Sequence, residues 1–266
     1  MKEQTRIPQV TLVGAGPGDP ELLTLKAVKA IQAASVLLVD DLVHPDVLRH
    51  ASPSARIIHV GKRGGCRSTP QVFIEKLMVQ EAQAGENVVR LKGGDPLIFG
   101  RGGEEQAHLQ ALGLQVKVVN GITAGLAAAH DLGIALTHRS HAHGVMLLTG
   151  HASPAQASTG MPPPDWALIA RTARDCQLTL VIYMGVQTAA NVQAGLLQGL
   201  PADTPVAVVE NASLPTQRHA TAQLKDLVRV FETQMLSSPA VILVGNVLLG
   251  MQKLQSSPAP MTALGR

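Results

Sequence analysis

Short apolar runs recur along the first half of the chain, and the stretches between them have helical periodicity. The runs lie at residues 10–13, 36–39, 56–60, 88–91 and 116–119, and each has the length of a buried strand. Leu22, Leu25, Val28 and Ile31 recur at helical spacing up to residue 33, and further helices are predicted from a Ser68 or Thr69 cap to residue 84 and over 104–112. Strands that alternate with helices predict an α/β domain with helices on the faces of its sheet, and we assign it to residues 1–120.

The same alternation continues after a sharp Asn-Gly turn at residues 120–121. Strands are predicted at 145–149, 180–184, 206–210 and 241–245. Helices are predicted after residue 125, from residue 166, and over 188–197 and 224–235. The pattern predicts a second α/β domain over residues 121–252, followed by a disordered tail at 253–266. We expect the functional site to lie between the two domains.

Composition narrows the class of protein. Hydrophobic residues make up 45% of the chain and charged residues 15%, as in a globular protein. Aromatic residues make up only 2%, and the net charge of +3 comes without long basic blocks, so we expect an anionic small-molecule ligand and no nucleic-acid partner. The two cysteines, Cys66 and Cys176, have no metal-binding spacing, and no apolar run is long enough to span a membrane. The expectation is a cytoplasmic protein without a membrane partner.

The glycine-rich turn at residues 14–20 does not fit the common nucleotide-binding motifs. The dinucleotide fingerprint needs a third glycine at position 19, which is Asp19. Gly61-Lys62 lacks the glycine that a P-loop requires, because position 56 is an arginine. Both nucleotide-binding readings are therefore excluded.

The strongest local candidate for a site is the stretch 88–105, V-V-R-L-K-G-G-D-P-L-I-F-G-R-G-G-E-E. A short apolar strand ending at Leu91 runs into two glycine clusters, which carry Asp95 between them and Arg101 within the second. Loops at the carboxyl ends of strands commonly carry functional side chains. We therefore predict a site here, although a plain connector remains the alternative.

Other polar clusters have two interpretations each. Asp40-Asp41 at a strand end could serve acid–base chemistry or lie solvated in a loop. The loop 61–70 carries Lys62, Arg63 and Arg67 and is either a solvated loop or a lid that presents cations to carboxylates or phosphates. The histidines lack zinc-binding spacing, so polar loop residues are favoured and no metal is predicted; they are His138, His141, His143 and His151.

With these motifs in hand, the chain resembles the tetrapyrrole methylases, and within them the uroporphyrinogen-III C-methyltransferase family. V-G-A-G-P-G-D-P-E-L-L-T-L-K at the first turn is typical of the wider superfamily, and the stretch 88–105 is more specific. L-T-H-R-S-H-A and V-I-Y-M-G agree with the same family, and the resemblance covers residues 8–250.

The resemblance implies two α/β domains with a cleft between them, a homodimer, and S-adenosyl-L-methionine as methyl donor, released as S-adenosyl-L-homocysteine. It implies successive methylation of uroporphyrinogen III at carbons 2 and 7, through precorrin-1 to precorrin-2. The implied cofactor-binding residues are Pro17, Gly93, Gly94, Asp95, Thr123, Ala124, Met184, Ala212 and Ala240.

The tetrapyrrole substrate carries many carboxylates, which fits arginine pairing and a basic loop. The implied substrate-binding residues are Lys62, Arg63, Arg101, Glu104, Arg139 and Met184, with Arg101 and Glu104 as the catalytic candidates. Arg101 could assist proton removal after methyl transfer, or orient the substrate and stabilise charge.

Three alternatives remain open from the sequence. The chain could be a related methylase that acts on a later corrin precursor, although the stretch 91–104 argues against this. It could be a non-catalytic carrier of anions or tetrapyrroles, which would bind its ligand independently of S-adenosylmethionine. A nucleic-acid binder, suggested by the pI of 9.0 alone, would show a steep dependence of affinity on salt.

Overall fold

The computed structural model describes residues 7–61, 70–151 and 162–250, which form two compact units, Met1–Ala124 and Gly125–Arg266. Each unit contains one five-stranded sheet. The predicted α/β fold class is confirmed.

The sheet of the first unit is entirely parallel. Its strands are β1 (Gln9–Gly14), β2 (Val36–Val39), β3 (Arg56–His59), β4 (Val88–Lys92) and β5 (Gln115–Val119), in the order β3-β2-β4-β1-β5. The helices are α1 (Leu25–Ala33), α2 (Gln71–Gln83) and α3 (Gly102–Ala111), with 3-10 turns at Pro20–Leu22 and Pro45–His50. Because all strands are parallel, their carboxyl ends lie along one edge of the sheet.

Alternate residues of each strand face two separate apolar clusters. On one face, Val88 packs with Leu12 and Leu38 and with Met78 of α2 and Leu109 of α3. The other face carries Val89 and Leu91, which pack with Val13, Val39 and Ile31 of α1. Helices on both faces bury β2, β4 and nearly all of β1, which accounts for the continuous apolar runs of these strands, whereas the edge strands β3 and β5 are partly exposed.

The sheet of the second unit is mixed. Its strands are β6 (Gly144–Thr149), β7 (Leu178–Tyr183), β8 (Pro205–Glu210), β9 (Arg218–Gln223) and β10 (Ala240–Val244), in the order β6-β7-β10-β8-β9. Only β6 and β7 pair in parallel, and the other neighbours are antiparallel. The helices are α4 (Ala124–Asp131), which begins at the unit boundary, α5 (Trp166–Asp175), α6 (Ala189–Leu196) and α7 (Leu227–Thr233), with 3-10 turns at Leu224–Asp226 and Asn246–Leu248.

Two predicted helices each divide into a 3-10 turn and a shorter α-helix. The first helix begins at Leu25 because the hydroxyl of Thr24 accepts a hydrogen bond from the backbone N–H of Ala27 and caps it. The second, Leu227–Thr233, follows the 3-10 turn at Leu224–Asp226. In the part of the chain that the structure describes, no helix has the length and hydropathy needed to cross a membrane.

Candidate functional site

Three glycines bring the carboxyl ends of β1, β4 and β5 into backbone contact. A Cβ placed on Gly14 would lie 2.5 Å from the backbone nitrogen of Gly121 and 2.6 Å from the carbonyl oxygen of Gly94. Gly16 and Gly94 form an isolated antiparallel bridge, in which the N–H of Gly94 donates to the carbonyl of Gly16 over 2.7 Å. Gly94 has a φ of 67°, which only glycine adopts readily. These three loops therefore form one edge lined by backbone.

Asp95 ties two of these loops together. One carboxylate oxygen accepts a hydrogen bond from the N–H of Leu97 over 2.8 Å, and the other accepts one from the N–H of Gly121 over 3.1 Å. The side chain is buried, with the residue 9% exposed. The resemblance implies that Asp95 binds the cofactor, and in the structure its two carboxylate oxygens accept hydrogen bonds from backbone N–H groups of the loops that follow β4 and β5.

Arg101 lies directly before α3 in a left-handed conformation, with a φ of 58°. Gly102 follows it, and its N–H donates to the carbonyl of Pro96, which closes the loop. A Cβ on Gly102 would collide with that carbonyl, so the glycine is required by close approach. The left-handed backbone of a non-glycine residue is uncommon and is often found at functional sites.

Arg101 and Glu104 form an exposed ion pair. Nε and Nη2 of Arg101 donate to one carboxylate oxygen of Glu104 over 3.0 Å and 2.5 Å. This hydrogen bonding raises the pKa of Arg101 and lowers the pKa of Glu104 from their ordinary values. A raised pKa makes the guanidinium a still poorer base, which favours a role in orientation and charge stabilisation.

Beneath this edge lies a group of buried charges that the sequence analysis missed. Arg90 and Lys92 of β4 are 2% and 3% exposed, and Glu105 of α3 is fully buried. Nζ of Lys92 lies 3.0 Å from Oε1 of Glu105, and Nε of Arg90 lies 3.6 Å from the same oxygen. Burial, and secondarily the charge of Arg90, lowers the pKa of Lys92. The available signal was a pair of basic residues at alternate positions, Arg90 and Lys92, in an otherwise apolar strand.

The two acids at the end of β2 differ in their surroundings. Oδ2 of Asp40 lies 3.7 Å from Nη2 of Arg90, and the Asp40 side chain is 35% exposed. Asp41 is exposed, and its backbone nitrogen lies close to Gly61. Asp40 thus connects the buried charges to solvent at the carboxyl edge of the sheet.

In the second unit, three predicted cofactor contacts lie at one edge of the mixed sheet. Met184 follows β7, Ala240 begins β10, and Ala212 lies two residues beyond the end of β8. The register pairs Val241 with Tyr183 and Ala240 with Glu210, so the three residues lie at neighbouring strand ends. Met184 has a φ of 53° and is 46% exposed, whereas Ala212 is buried.

The remaining candidates are less connected. Arg139 is exposed at the tip of a tight turn closed by the His138–Ala142 bridge, and His138 stacks on His141 with ring centroids 4.7 Å apart. Residues 62–69 of the predicted lid loop, which include Lys62, Arg63, Arg67, Ser68 and Thr69, lie outside the described residues, as does the tail at 253–266. Across residues 7–61, 70–151 and 162–250, no group of three or more His, Cys, Asp or Glu side chains could hold a metal ion.

Comparisons with known proteins agree with the motifs. The profile of the Tetrapyrrole (Corrin/Porphyrin) Methylases matches residues 9–228. The chain is 51% identical to a uroporphyrinogen-III C-methyltransferase of Pseudomonas aeruginosa over 96% of this chain and 99% of that protein.

Solved structures give the same result. A uroporphyrin-III C-methyl transferase of Thermus thermophilus, complexed with S-adenyl homocysteine, is 40% identical with a TM-score of 0.75, over 91% of this chain and 99% of that one. A cobalt precorrin-4 methyltransferase is 28% identical with a TM-score of 0.77, over 90% of this chain and 95% of that one. The resemblance inferred from the sequence is confirmed, and the chain belongs to the tetrapyrrole methylase family.

Proposed function

We propose that this protein transfers methyl groups from S-adenosyl-L-methionine to uroporphyrinogen III, at carbons 2 and 7, giving precorrin-2 through precorrin-1. The observation that carries the proposal is the 51% identity to the Pseudomonas enzyme, which extends over nearly the full length of both chains.

The edge formed by Gly14, Gly94 and Gly121 suits a bound S-adenosylmethionine. A Cβ at Gly14 or Gly121 would collide with the backbone of the neighbouring loops, so the three loops pack backbone to backbone at this edge. Exposed backbone allows a ligand to approach closely and to exchange hydrogen bonds with amide groups. We assign the first set of cofactor contacts to this edge: Pro17, Gly93, Gly94, Asp95, Thr123 and Ala124.

The second unit supplies a further set of proposed contacts. Met184, Ala212 and Ala240 are placed at neighbouring strand ends by the register of β7, β10 and β8. Two of the three are alanines, whose small side chains leave the backbone accessible. Their contribution is tested separately, by measuring S-adenosylmethionine affinity after substitution of Ala240 by valine.

Arg101 and Glu104 are proposed to act on the tetrapyrrole. Nε and Nη2 of Arg101 both donate hydrogen bonds to Glu104, and Nη1 makes no hydrogen bond to any residue in the part of the chain that the structure describes. Nη1 can therefore bind a substrate carboxylate while Glu104 fixes the plane of the guanidinium. Arg139 and Met184 are proposed as further substrate contacts, as are Lys62 and Arg63 of the 61–70 loop.

The chemistry is an attack of a nucleophilic pyrrole carbon on an activated methyl group, followed by loss of a proton. S-adenosylmethionine, when bound, supplies the methyl group on a positively charged sulfur. The protein contributes alignment of the two reactants, which can account for a large part of the rate gain. Because the ion pair raises the pKa of Arg101, we assign it to orienting the substrate and stabilising charge.

The decisive experiment is anaerobic incubation with uroporphyrinogen III and S-adenosylmethionine, followed by mass spectrometry of the oxidised product. A gain of two methyl groups is expected, and labelled methyl groups locate them by NMR. Arg101→Ala is the matched variant, for which we expect lower turnover and unchanged binding of S-adenosylmethionine. Absence of any methylated tetrapyrrole, with both ligands bound, would sink the proposal.

One alternative substrate follows from the comparisons. The cobalt precorrin-4 methyltransferase has the same fold with a TM-score of 0.77, although its sequence identity is only 28%. A methylase for a later corrin precursor would leave uroporphyrinogen III unchanged and methylate the later intermediate instead. The same mass spectrometric assay with both macrocycles distinguishes the two.

We further propose that the protein works as a homodimer in the cytoplasm, as the family resemblance implies. Sedimentation analysis of the purified chain tests the oligomeric state. A single species at the monomer mass of 27.9 kDa at micromolar concentration would contradict it.

A further inference from the structure

Glu105 lies at the junction of three elements of the first unit. It belongs to the first turn of α3, and its Oε1 is 3.0 Å from Nζ of Lys92 at the end of β4. The same oxygen accepts a hydrogen bond from Nε2 of Gln71 at the start of α2, also over 3.0 Å. One carboxylate oxygen therefore joins the central strand of the sheet to both helices on that face.

The loop that carries Arg101 begins and ends at this junction. Residues 93–101 leave β4 immediately after Lys92 and return at Arg101, the residue that precedes α3. The N–H groups of Glu104 and Glu105 both donate to the carbonyl of Arg101, each over 3.1 Å. The backbone position of Arg101 is thus fixed by the turn that Glu105 fastens to the sheet.

The charges at the junction do not balance locally. Arg90 and Lys92 are both at least 97% buried, while Glu105 is the one fully buried carboxylate among the described residues that contact them. Asp40 approaches Arg90 from β2 at 3.7 Å, but its side chain is partly exposed. Glu75, a buried carboxylate of α2, lies 3.8 Å from His108 of α3.

Within the described ranges 7–61, 70–151 and 162–250, two buried polar atoms at the junction have no hydrogen-bond partner: Nε of Arg90 and Oε2 of Glu105. Burying charged groups with incomplete hydrogen bonding is costly, and an apolar core would avoid the cost. Such an arrangement is expected where the position of a side chain matters more than stability. The junction lies within one helical turn of Arg101 and Glu104, so it can hold these two side chains in place.

We propose that Glu105 is a positioning residue for the methyl-transfer reaction, which holds the Arg101–Glu104 pair in register with the carboxyl edge of the sheet through its bonds to Lys92 and Gln71. This inference rests on the proposed function, because it assigns Glu105 a role in that reaction. Glu105 makes no contact with the substrate in this scheme.

The principal variant is Glu105→Gln, which keeps the shape of the side chain and removes its charge. We expect turnover to fall by about tenfold or more, because small displacements of positioning groups cost up to about a hundredfold in rate. The affinity for S-adenosylmethionine, measured by calorimetry, should stay within about twofold of wild type, since the Gly14–Gly94–Gly121 edge is unaltered. The control is Ile31→Ala, a fully buried residue of α1 on the opposite face of the sheet, chosen to match the loss in stability.

A second readout does not depend on activity. Amide hydrogen exchange at Gly102, which donates to the carbonyl of Pro96 over 2.9 Å, should become faster in Glu105→Gln and remain unchanged in Ile31→Ala. If the wild-type protein methylated no uroporphyrinogen III, the proposed function would fail while the exchange measurement still tested the junction. Unchanged exchange at Gly102 in Glu105→Gln would overturn the inference by itself.

A triple variant, Arg90→Met with Lys92→Met and Glu105→Met, separates positioning from folding if Glu105→Gln proves unstable. Replacing all members of a buried ion cluster by apolar residues often preserves stability, because no buried charge is left unpaired, so this protein should fold. The apolar cluster lacks the directional bonds, so turnover should remain at least about tenfold low despite recovered stability. Full recovery of turnover together with stability, or an equal loss of turnover in Ile31→Ala, would show that Glu105 acts only through stability.

Discussion

Substituting Asp95 by asparagine tests whether this residue, a proposed cofactor contact, also fastens two loops together. In the wild-type protein its two carboxylate oxygens accept hydrogen bonds from Leu97 and Gly121. Asparagine keeps one acceptor, so only one of these bonds can survive. Its amide group would then face the other backbone N–H, donor against donor.

The magnitude follows from the burial of the site. Hydrogen bonds to a charged acceptor contribute about 1.5 to 3 kcal/mol, and a buried donor left unpaired costs about 1 to 3 kcal/mol. We therefore expect Asp95→Asn to lower the free energy of unfolding by about 2 to 3 kcal/mol. Asp95→Ala should lose at least as much, because both backbone N–H groups lose their acceptor.

The assay combines urea unfolding with hydrogen exchange at the Gly121 amide and calorimetry with S-adenosylmethionine. All three should change together: a lower urea midpoint, faster exchange at Gly121 and weaker cofactor binding, because the Gly94 and Gly121 loops separate. Asp175→Asn is the control, since its carboxylate is 63% exposed and should change stability by less than about 0.5 kcal/mol. Weaker cofactor binding with unchanged stability and exchange would refute the loop-fastening role of Asp95 and leave only its proposed contact with the cofactor.

Three further predictions concern other contacts. Tyr183→Phe removes the acceptor for the N–H of Gly125, a 3.0 Å bond, and should cost about 1 to 3 kcal/mol in urea unfolding; an unchanged midpoint would argue against it. Folding lowers the pKa of Lys92, so above the lowered pKa the unfolded chain binds more protons than the folded protein. The free energy of unfolding should therefore rise with pH up to the ordinary lysine pKa of 10.5. Lys92→Met should remove this rise, and a pH dependence of stability equal to that of the wild type would contradict the prediction. Arg101→Ala should raise the pKa of Glu104 towards its ordinary value in a carboxyl NMR titration while calorimetry still detects cofactor binding; a Glu104 titration identical to wild type would oppose it.

Most of the fold could be predicted because buried strands have a strong apolar signal. The strand over 36–39 coincides with β2, and the other predicted strands of the first unit agree with the structure to within one or two residues. β9, Arg218–Gln223, was not predicted, because its sequence R-H-A-T-A-Q is polar and only its pairing to β8 makes it a strand. A strand at the edge of a sheet needs little apolar surface, so its tertiary partner decides its conformation.

The site was only partly accessible to sequence reasoning. The motif around Gly93, Gly94 and Arg101 was found because glycines and charges cluster there. Gly14 and Gly121 were not singled out for the site, although both approach Gly94 closely, since that approach depends on which strands are neighbours. Local sequence contains no information on a contact between residues so far apart along the chain.

The parallel order of the first sheet has a consequence for how the chain emerges from the ribosome. β1 is made first, yet it lies between β4 and β5: Val10 pairs with Val88, and Gln9 pairs with Gln115. At about 5 to 20 residues per second, the first apolar strand waits roughly 5 to 20 s for its second neighbour. Strand pairing can begin sooner in the second unit, because β8 and β9 are close in sequence and pair antiparallel, with Glu210 opposite Arg218. The first unit, although synthesised earlier, therefore leaves its first strand, β1, without both neighbours for longer during translation and depends more on protection from aggregation.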